Sequence, residues 1–197
     1  MTEKALYSDE TVLIRSCLQL DPAAQAYLFR TYAPRFLGLI LRYVPNKTDA
    51  EDILAEAFCR IFSRLNTFRS QGSLMGWMRR ITVNECLLFL RRKKIHFEST
   101  DLLENFPEIP SSVDAGYLDA DGVRKAVEAL PTGYRIVFNL YVVEGYPHQE
   151  IAALLGISVN TSKSQLLHAK RRVQTLLGLP NSTEKLSESV GSKEDSI

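Results

Sequence analysis

Apolar residues return every three or four positions through most of this chain, and the runs are separated by proline, glycine, asparagine and serine. That spacing predicts helices rather than strands. A first short helix is expected over Glu10–Leu20, broken near Asp21-Pro22. A second runs from Pro22 to about Val44, with Leu28, Tyr32, Phe36, Leu39, Ile40 and Tyr43 on one face and Pro34 as a site for a kink. A third covers Lys47–Leu65 and turns Ile53, Leu54, Ala57, Phe58, Ile61, Phe62 and Leu65 inward. After the loop Asn66–Gly72, Ser73 is placed to cap a fourth helix that reaches about Ile95 through Trp77, Ile81 and Leu88. From His96 to Gly116 the period disappears, and Pro107, Pro110, Ser111 and Ser112 mark a linker. Helices resume over Asp119–Leu130, Pro131–Val143, His148–Leu155 and Val159–Leu177; the polar tail beyond them is expected to be disordered. The fold class is therefore all-α. Two small helical domains, residues 1–95 and 119–178, are joined by a flexible linker, 96–118, and followed by a tail, 179–197.

The stretch from His148 to Arg172 carries the strongest local signal. Gly156 sits where one helix must stop, and Ser158 where the next must be capped, a contribution of about 1 kcal/mol. Beyond this turn Val159, Leu166, Ala169, Val173 and Leu176 form an inward stripe; Ser162 falls in that stripe, where an aliphatic residue would pack better. The other face holds Asn160, Thr161, Lys163, Ser164, Gln165 and His168, then Lys170, Arg171 and Arg172, and no acid falls between Glu150 and Glu184. Amides and hydroxyls at the front of a helix, with cations behind, suit reading of the DNA major groove. A merely solvated basic face is the competing interpretation.

Length and composition allow one large domain or two small ones: 197 residues, 45% of them apolar. The net charge of +1 hides a sharp segregation. Between Glu98 and Asp121 the charges are all acidic: Glu98, Asp101, Glu104, Glu108, Asp114, Asp119 and Asp121. Just before them stand Arg79, Arg80, Arg91, Arg92, Lys93 and Lys94, opposed only by Glu85. Two basic helical regions around an acidic connector predict two contacts with a polyanion. Cys17, Cys59 and Cys86 are odd in number and lie in apolar helical patterns, so they are read as reduced core thiols. With no signal core and no membrane-length apolar run, a cytoplasmic location without membrane insertion is expected.

In the first domain, Asp49, Asp52, Glu56 and Arg60 share one face of the third helix. Metal ligands must converge from several elements, and one straight ridge splays them, so a solvated face or a docking surface for a basic partner fits better. The fourth helix presents Arg80, Asn84, Leu87 and Arg91, followed by Arg92, Lys93 and Lys94. Such cations bind phosphates, and an asparagine can address a base edge. The preceding loop adds Phe68, Arg69 and Gln71, a stacking and edge-contact set for unstacked bases, while Trp77 reads as core.

In this order the features resemble the bacterial extracytoplasmic-function sigma factors of the sigma-70 family, which keep regions 2 and 4 of the larger factors. DAEDILAEAFCRIF (Asp49–Phe62) looks like the segment that docks on the polymerase β′ coiled coil. NTFRSQGSLMGWMRRITVNECLLFLRRKK (Asn66–Lys94) is similar to the segment that melts and reads the −10 element. LPTGYRIVFNLYVVEGYPHQEIAALLGIS, followed by VNTSKSQLLHAKRR, resembles region 4, whose last helix reads the −35 element.

The resemblance implies that Asp49, Asp52, Glu56, Phe58 and Arg60 bind polymerase. It assigns −10 DNA to Phe68, Arg69, Gln71, Arg80, Asn84, Arg91, Arg92 and Lys93. It assigns −35 DNA to Ser158, Asn160, Thr161, Lys163, Ser164, Gln165, His168, Lys170, Arg171 and Arg172. The implied partners are core RNA polymerase (β′ clamp coiled coil and β subunit), promoter DNA and an anti-sigma factor; no catalysis, metal or cofactor is implied. This chain departs from the family pattern at Ser162, where valine is commoner, and at Tyr146-Pro147-His148-Gln149, where the usual helix start carries serine and an acid. The competing functions are a dimeric helix-turn-helix regulator, a metal-dependent nuclease using Asp49, Asp52 and Glu56, and a module whose basic helices bind acidic proteins.

Overall fold

The computed structural model describes residues 6–93 and 120–179, so the expected linker and all but the first residue of the expected tail lie outside the described residues. The chain divides into two compact units, residues 1–95 and 96–197. Among the described residues there are eight α-helices and no strand.

In the N-terminal unit the helices are α1 (Glu10–Leu18), α2 (Pro22–Tyr43), α3 (Lys47–Arg64) and α4 (Leu74–Arg92). Each begins at a residue whose side chain accepts from the exposed first-turn N–H groups: Asp9, Asp21, Asn46 and Ser73. The third helix ends one residue sooner than its periodicity implied, because Leu65–Thr67 tightens into a 3-10 turn. Helices α2, α3 and α4 pack mutually, and α1 lies on α2. Leu28, Phe36, Ile40, Tyr43, Ile53, Ile61, Met78 and Leu87 are almost wholly buried between them. Phe58, which the resemblance placed on the docking surface, lies in this core, as its helical spacing implied. It is 3% exposed, edge-on to Phe29 at 4.6 Å between ring centres and 6.1 Å from both Phe36 and Phe62.

The C-terminal unit contains α5 (Ala120–Glu128), α6 (Thr132–Phe138), α7 (His148–Leu155) and α8 (Val159–Leu176). A single π-helical turn, Asn139–Val143, extends α6. Gly156 ends α7 in the left-handed region at φ +71°, a conformation glycine adopts without a Cβ penalty. Ser158 then caps α8, accepting from Thr161 N–H at 2.9 Å. Ala126, Leu130, Tyr134, Ala169 and Val173 form a core between α5, α6 and α8.

Ser162 is fully buried, and its hydroxyl lies 2.9 Å from Nδ1 of His148, the first residue of α7. The two departures from the family pattern are thus bonded to each other. A polar side chain is tolerated inside the stripe because its hydroxyl has a hydrogen-bond partner in the half-buried His148 ring. Tyr141 stacks on the same imidazole at 4.5 Å.

Phe58→Ala is expected to destabilise the N-terminal unit by about 3–5 kcal/mol, read by denaturation through the fluorescence of Trp77, the chain's single tryptophan. Ser162→Ala should cost the C-terminal unit about 1 kcal/mol, measured by hydrogen exchange in α7 and α8. Burial, then the nearby Lys163 and Lys170, hold the His148 ring below the usual histidine range. The unfolded chain therefore binds the proton more readily. This stability is present above the ordinary value of about 6.5 and lost as pH falls through the depressed folded value. The C-terminal unit should weaken on acidification from about pH 7.5 to 5.5, and His148→Gln should flatten that slope.

Candidate functional site: two cationic helix faces and an acidic ridge

On α8 the residues that reach solvent are fewer than the sequence implied. Asn160, Lys163, Lys170 and Arg171 are exposed along one strip. Leu167, which sequence reasoning passed over, stands among them at 48% exposure. Its spacing of seven from Asn160 and four from Lys163 was the available signal, and an apolar side chain there suits a thymine methyl. The hydroxyls near the front serve the helix itself: Ser158 and Thr161 lie 2.8 Å apart, and Ser164 donates to the Thr161 carbonyl at 3.0 Å.

Gln165 is a correction. It is 3% exposed, and its amide lies over Gly133 of α6, where an added Cβ would sit 3.7 Å from Oε1. At 3.6 residues per turn it stands about 140° round from Asn160, on the flank of the buried stripe. His168 is half-buried and stacks on Tyr134 at 5.9 Å, and Arg172 is also half-buried. Lys170 Nζ sits 5.8 Å from the centre of the Tyr141 ring, a cation–π contact that steadies it at the surface.

Helix α4 shows a narrower polar strip: Arg80, Asn84, Leu88 and Arg91. Leu88 was expected inside and Leu87 outside; the structure reverses them, with Leu87 2% exposed. Two neighbouring helices cover α4, so the edge of its polar face is buried. Glu85, the one acid amid the basic residues, also turns inward at 4% exposure and accepts from Arg60 Nε at 3.1 Å. The strip therefore keeps its cations without a neighbouring carboxylate. Ahead of it, Phe68 packs on Trp77 at 5.6 Å, which anchors the loop that exposes Arg69 and Gln71. Ser70 at φ +56° and Gly72 at φ +102° fold that loop tightly. A non-glycine residue at positive φ is uncommon and is held here by its surroundings.

The acidic ridge of α3 is partly neutralised. Lys93 donates to Asp49 Oδ2 at 2.8 Å, and Arg92 to Glu56 Oε2 at 3.4 Å. Arg92 and Lys93, placed with the DNA-binding residues by the sequence, thus face α3 because the end of α4 has rotated them off the outer strip. Arg60 serves Glu85. Asp52 makes no ion pair among the described residues. Cys59 corrects the expectation of three core thiols: it is exposed on the same ridge, whereas Cys17 and Cys86 are buried. Burial and the nearby Asp21 push the Cys17 thiol up to about 11. Among the described residues no group of three or more His, Cys, Asp or Glu is placed to hold a metal ion, and no helix is long and apolar enough to cross a membrane.

The comparisons with known proteins fall on the same two units. Residues 28–95 match the family model for sigma-70 region 2, and residues 121–173 the model for sigma-70, region 4. The chain is 30% identical over 158 residues to the ECF RNA polymerase sigma factor SigE of Mycolicibacterium smegmatis, spanning 76% of this chain and 60% of that protein. It is 27% identical over 176 residues to the ECF RNA polymerase sigma-E factor of Escherichia coli K12, spanning 83% and 92%. The sigma factor RpoE of Bartonella quintana, solved with the anti-sigma factor NepR, shares the fold at a TM-score of 0.50 and 20% identity, over 79% of this chain and 98% of that one. The order of the two matched regions and the relatives found with them carry one conclusion: this chain belongs to the sigma-70 family, among the extracytoplasmic-function RNA polymerase sigma factors.

Proposed function

We propose that this chain docks on core RNA polymerase through the α3 ridge, reads −10 DNA with α4 and its loop, and reads −35 DNA with α8. It contributes no catalysis of its own. The observation that carries this reading is the tie between α3 and α4. The buried side chains packed between α3 and α4 hold the docking ridge and the cationic strip in one body, with Lys93–Asp49 and Arg92–Glu56 crossing between them, so that seating the ridge on polymerase also sets where Arg80, Asn84 and Arg91 meet DNA. Both pairs are largely solvated, where an ion pair is worth about 0–1 kcal/mol. They are easily exchanged for cations of a partner, and Asp52 is available from the start.

In this reading α3 meets the β′ clamp coiled coil, and the C-terminal unit meets the β subunit and duplex DNA. The Phe68–Ser73 loop captures a base extruded from the −10 element, which offsets part of the few kcal/mol that unstacking costs. On α8, Asn160, Lys163 and Leu167 discriminate among bases, while Lys170 and Arg171 hold phosphates. The acidic run that begins at Glu98 occupies a channel that polymerase offers to nucleic acid. An anti-sigma factor covers the docking ridge when the chain is idle; that such a partner exists is suggested by the Bartonella sigma factor, solved in complex with an anti-sigma factor.

Run-off transcription with core polymerase and fragmented genomic DNA should yield new start sites sharing two upstream elements. Asp52→Arg, or alkylation of the exposed Cys59, should abolish them while duplex binding by α8 persists. No new transcripts from the unmodified chain, with DNA binding intact, would favour a dimeric regulator instead. Lys163→Ala should cost about 1–3 kcal/mol of discrimination at one base pair. Arg171→Ala should weaken all sequences alike and lower the salt slope by about one; a changed base preference at unchanged slope would reverse that assignment.

A further inference from the structure

The half-buried imidazole of His148 reaches α8 by two routes. Its Nδ1 lies 2.9 Å from the hydroxyl of Ser162, and Lys163 follows that serine directly. Its ring stacks on Tyr141 of the π-helical turn at 4.5 Å, and Lys170 Nζ stands 5.8 Å from the centre of the same tyrosine. The ammonium and the imidazole thus share one aromatic ring, a separation comparable to the screening length of about 10 Å at 0.1 M salt. Burial, then Lys163 and Lys170, disfavours the proton on His148. The acids nearest in the chain are Glu144, half-buried at the end of the π-helical turn, and Glu150, exposed on α7. Neither is among the groups that shift the ring. His148 and Ser162 are both departures from the family pattern, so this cluster is a property of this chain.

Both lysines lie on the strip that meets DNA in the function proposed above, so duplex binding changes the field at the ring. Phosphates held against the strip offset the two ammonium groups. Protonated imidazole is then penalised less in the complex than in the free chain, and by linkage the complex binds the proton more readily. The sign follows from that difference. Affinity rises as pH falls, beginning near the midpoint of the ring in the complex and levelling off below its midpoint in the free chain. The contact with Ser162 persists, because a hydroxyl can donate to a bare ring nitrogen or accept from a protonated one. Acidification that weakens the free unit therefore strengthens its hold on DNA.

We propose that His148 adds a proton-dependent charge to the DNA-binding face of α8, so that duplex binding takes up a proton at this ring. It is a positioning residue of an electrostatic kind, acting through Lys163 and Lys170 rather than on a base. This rests on the reading of α8 as a DNA-binding helix.

The test uses the full chain and a duplex of about 30 base pairs of arbitrary sequence, because phosphate contacts do not depend on sequence. Fluorescence anisotropy at fixed salt should show affinity rising about threefold more in the wild-type chain than in His148→Gln as pH falls from about 7.5 to 5.5. The difference removes His168 and every other titrating group, which both chains keep. Imidazole NMR supplies a readout that a merely structural role does not move, and His148→Gln identifies the signal. The His148 midpoint should move up when duplex is added. It should also move up without duplex in Lys170→Gln, which removes one repelling cation. Circular dichroism at each pH reports that the helices are intact, and if His148→Gln does not fold, the two midpoint shifts decide alone. Duplex binding with an unmoved His148 midpoint, or with equal pH dependence in the two chains, overturns the proton linkage and leaves α8 as a DNA-binding helix. No duplex binding at any pH overturns both.

Discussion

Helix α4 must be packed on two sides, by α2 and α3, and still present cations to a ligand. Nearly everything functional in the N-terminal unit follows from that constraint. Covering two sides buries Met78, Val83, Cys86, Leu87 and Leu90 and leaves an outer strip only one or two residues wide. It turns Glu85 into the interior, where Arg60 holds it, and so clears the strip of negative charge. It brings Trp77 under Phe68, which shapes the loop ahead of the helix. Finally, it sets Met75 and Arg79 against the face of α2 that carries Arg35 and Arg42. A cationic strip, a tightly folded loop and an arginine-lined cavity are three consequences of one packing arrangement.

The ion pairs between α3 and α4 have a different physical character. They are solvated and individually weak, so they contribute little to holding the helices together; buried aromatic and aliphatic side chains do that. Their weight lies in geometry and exchange. Acids on the α3 ridge that are lightly engaged by the chain's own cations can exchange them for other cations at small cost. The half-neutralised ridge is also less prone to capture stray polycations than bare carboxylates would be.

The C-terminal unit solves the equivalent problem with a polar contact in its interior. Its helix-turn-helix has a serine where packing alone calls for an aliphatic side chain, and a histidine where a helix start commonly carries a different cap. Joined to each other, they fix α7 against α8 through a directed bond, and the Tyr141 ring covers the join. Such a bond costs more than methyl packing when its geometry is disturbed. It therefore specifies the angle between the two helices more narrowly, at the expense of sensitivity to pH.

Periodicity and punctuation along the chain determined the helices, their caps at Ser73 and Ser158, the stop at Gly156, the all-α class and the family, because these depend on residues close in sequence. The acidic ridge and the two basic helices were legible for the same reason. Tertiary structure alone decided which members of each polar face meet solvent. Gln165 and Leu87 are covered by neighbouring helices, Leu167, Leu88 and Cys59 are not, and no single helix encodes the width of the groove it will be pressed into. The partners of Arg92, Lys93 and Ser162, and the meeting of Arg35 and Arg42 with Arg79, lie tens of residues apart or on different helices. Helical spacing fixes what shares a face; only packing between helices fixes what that face meets.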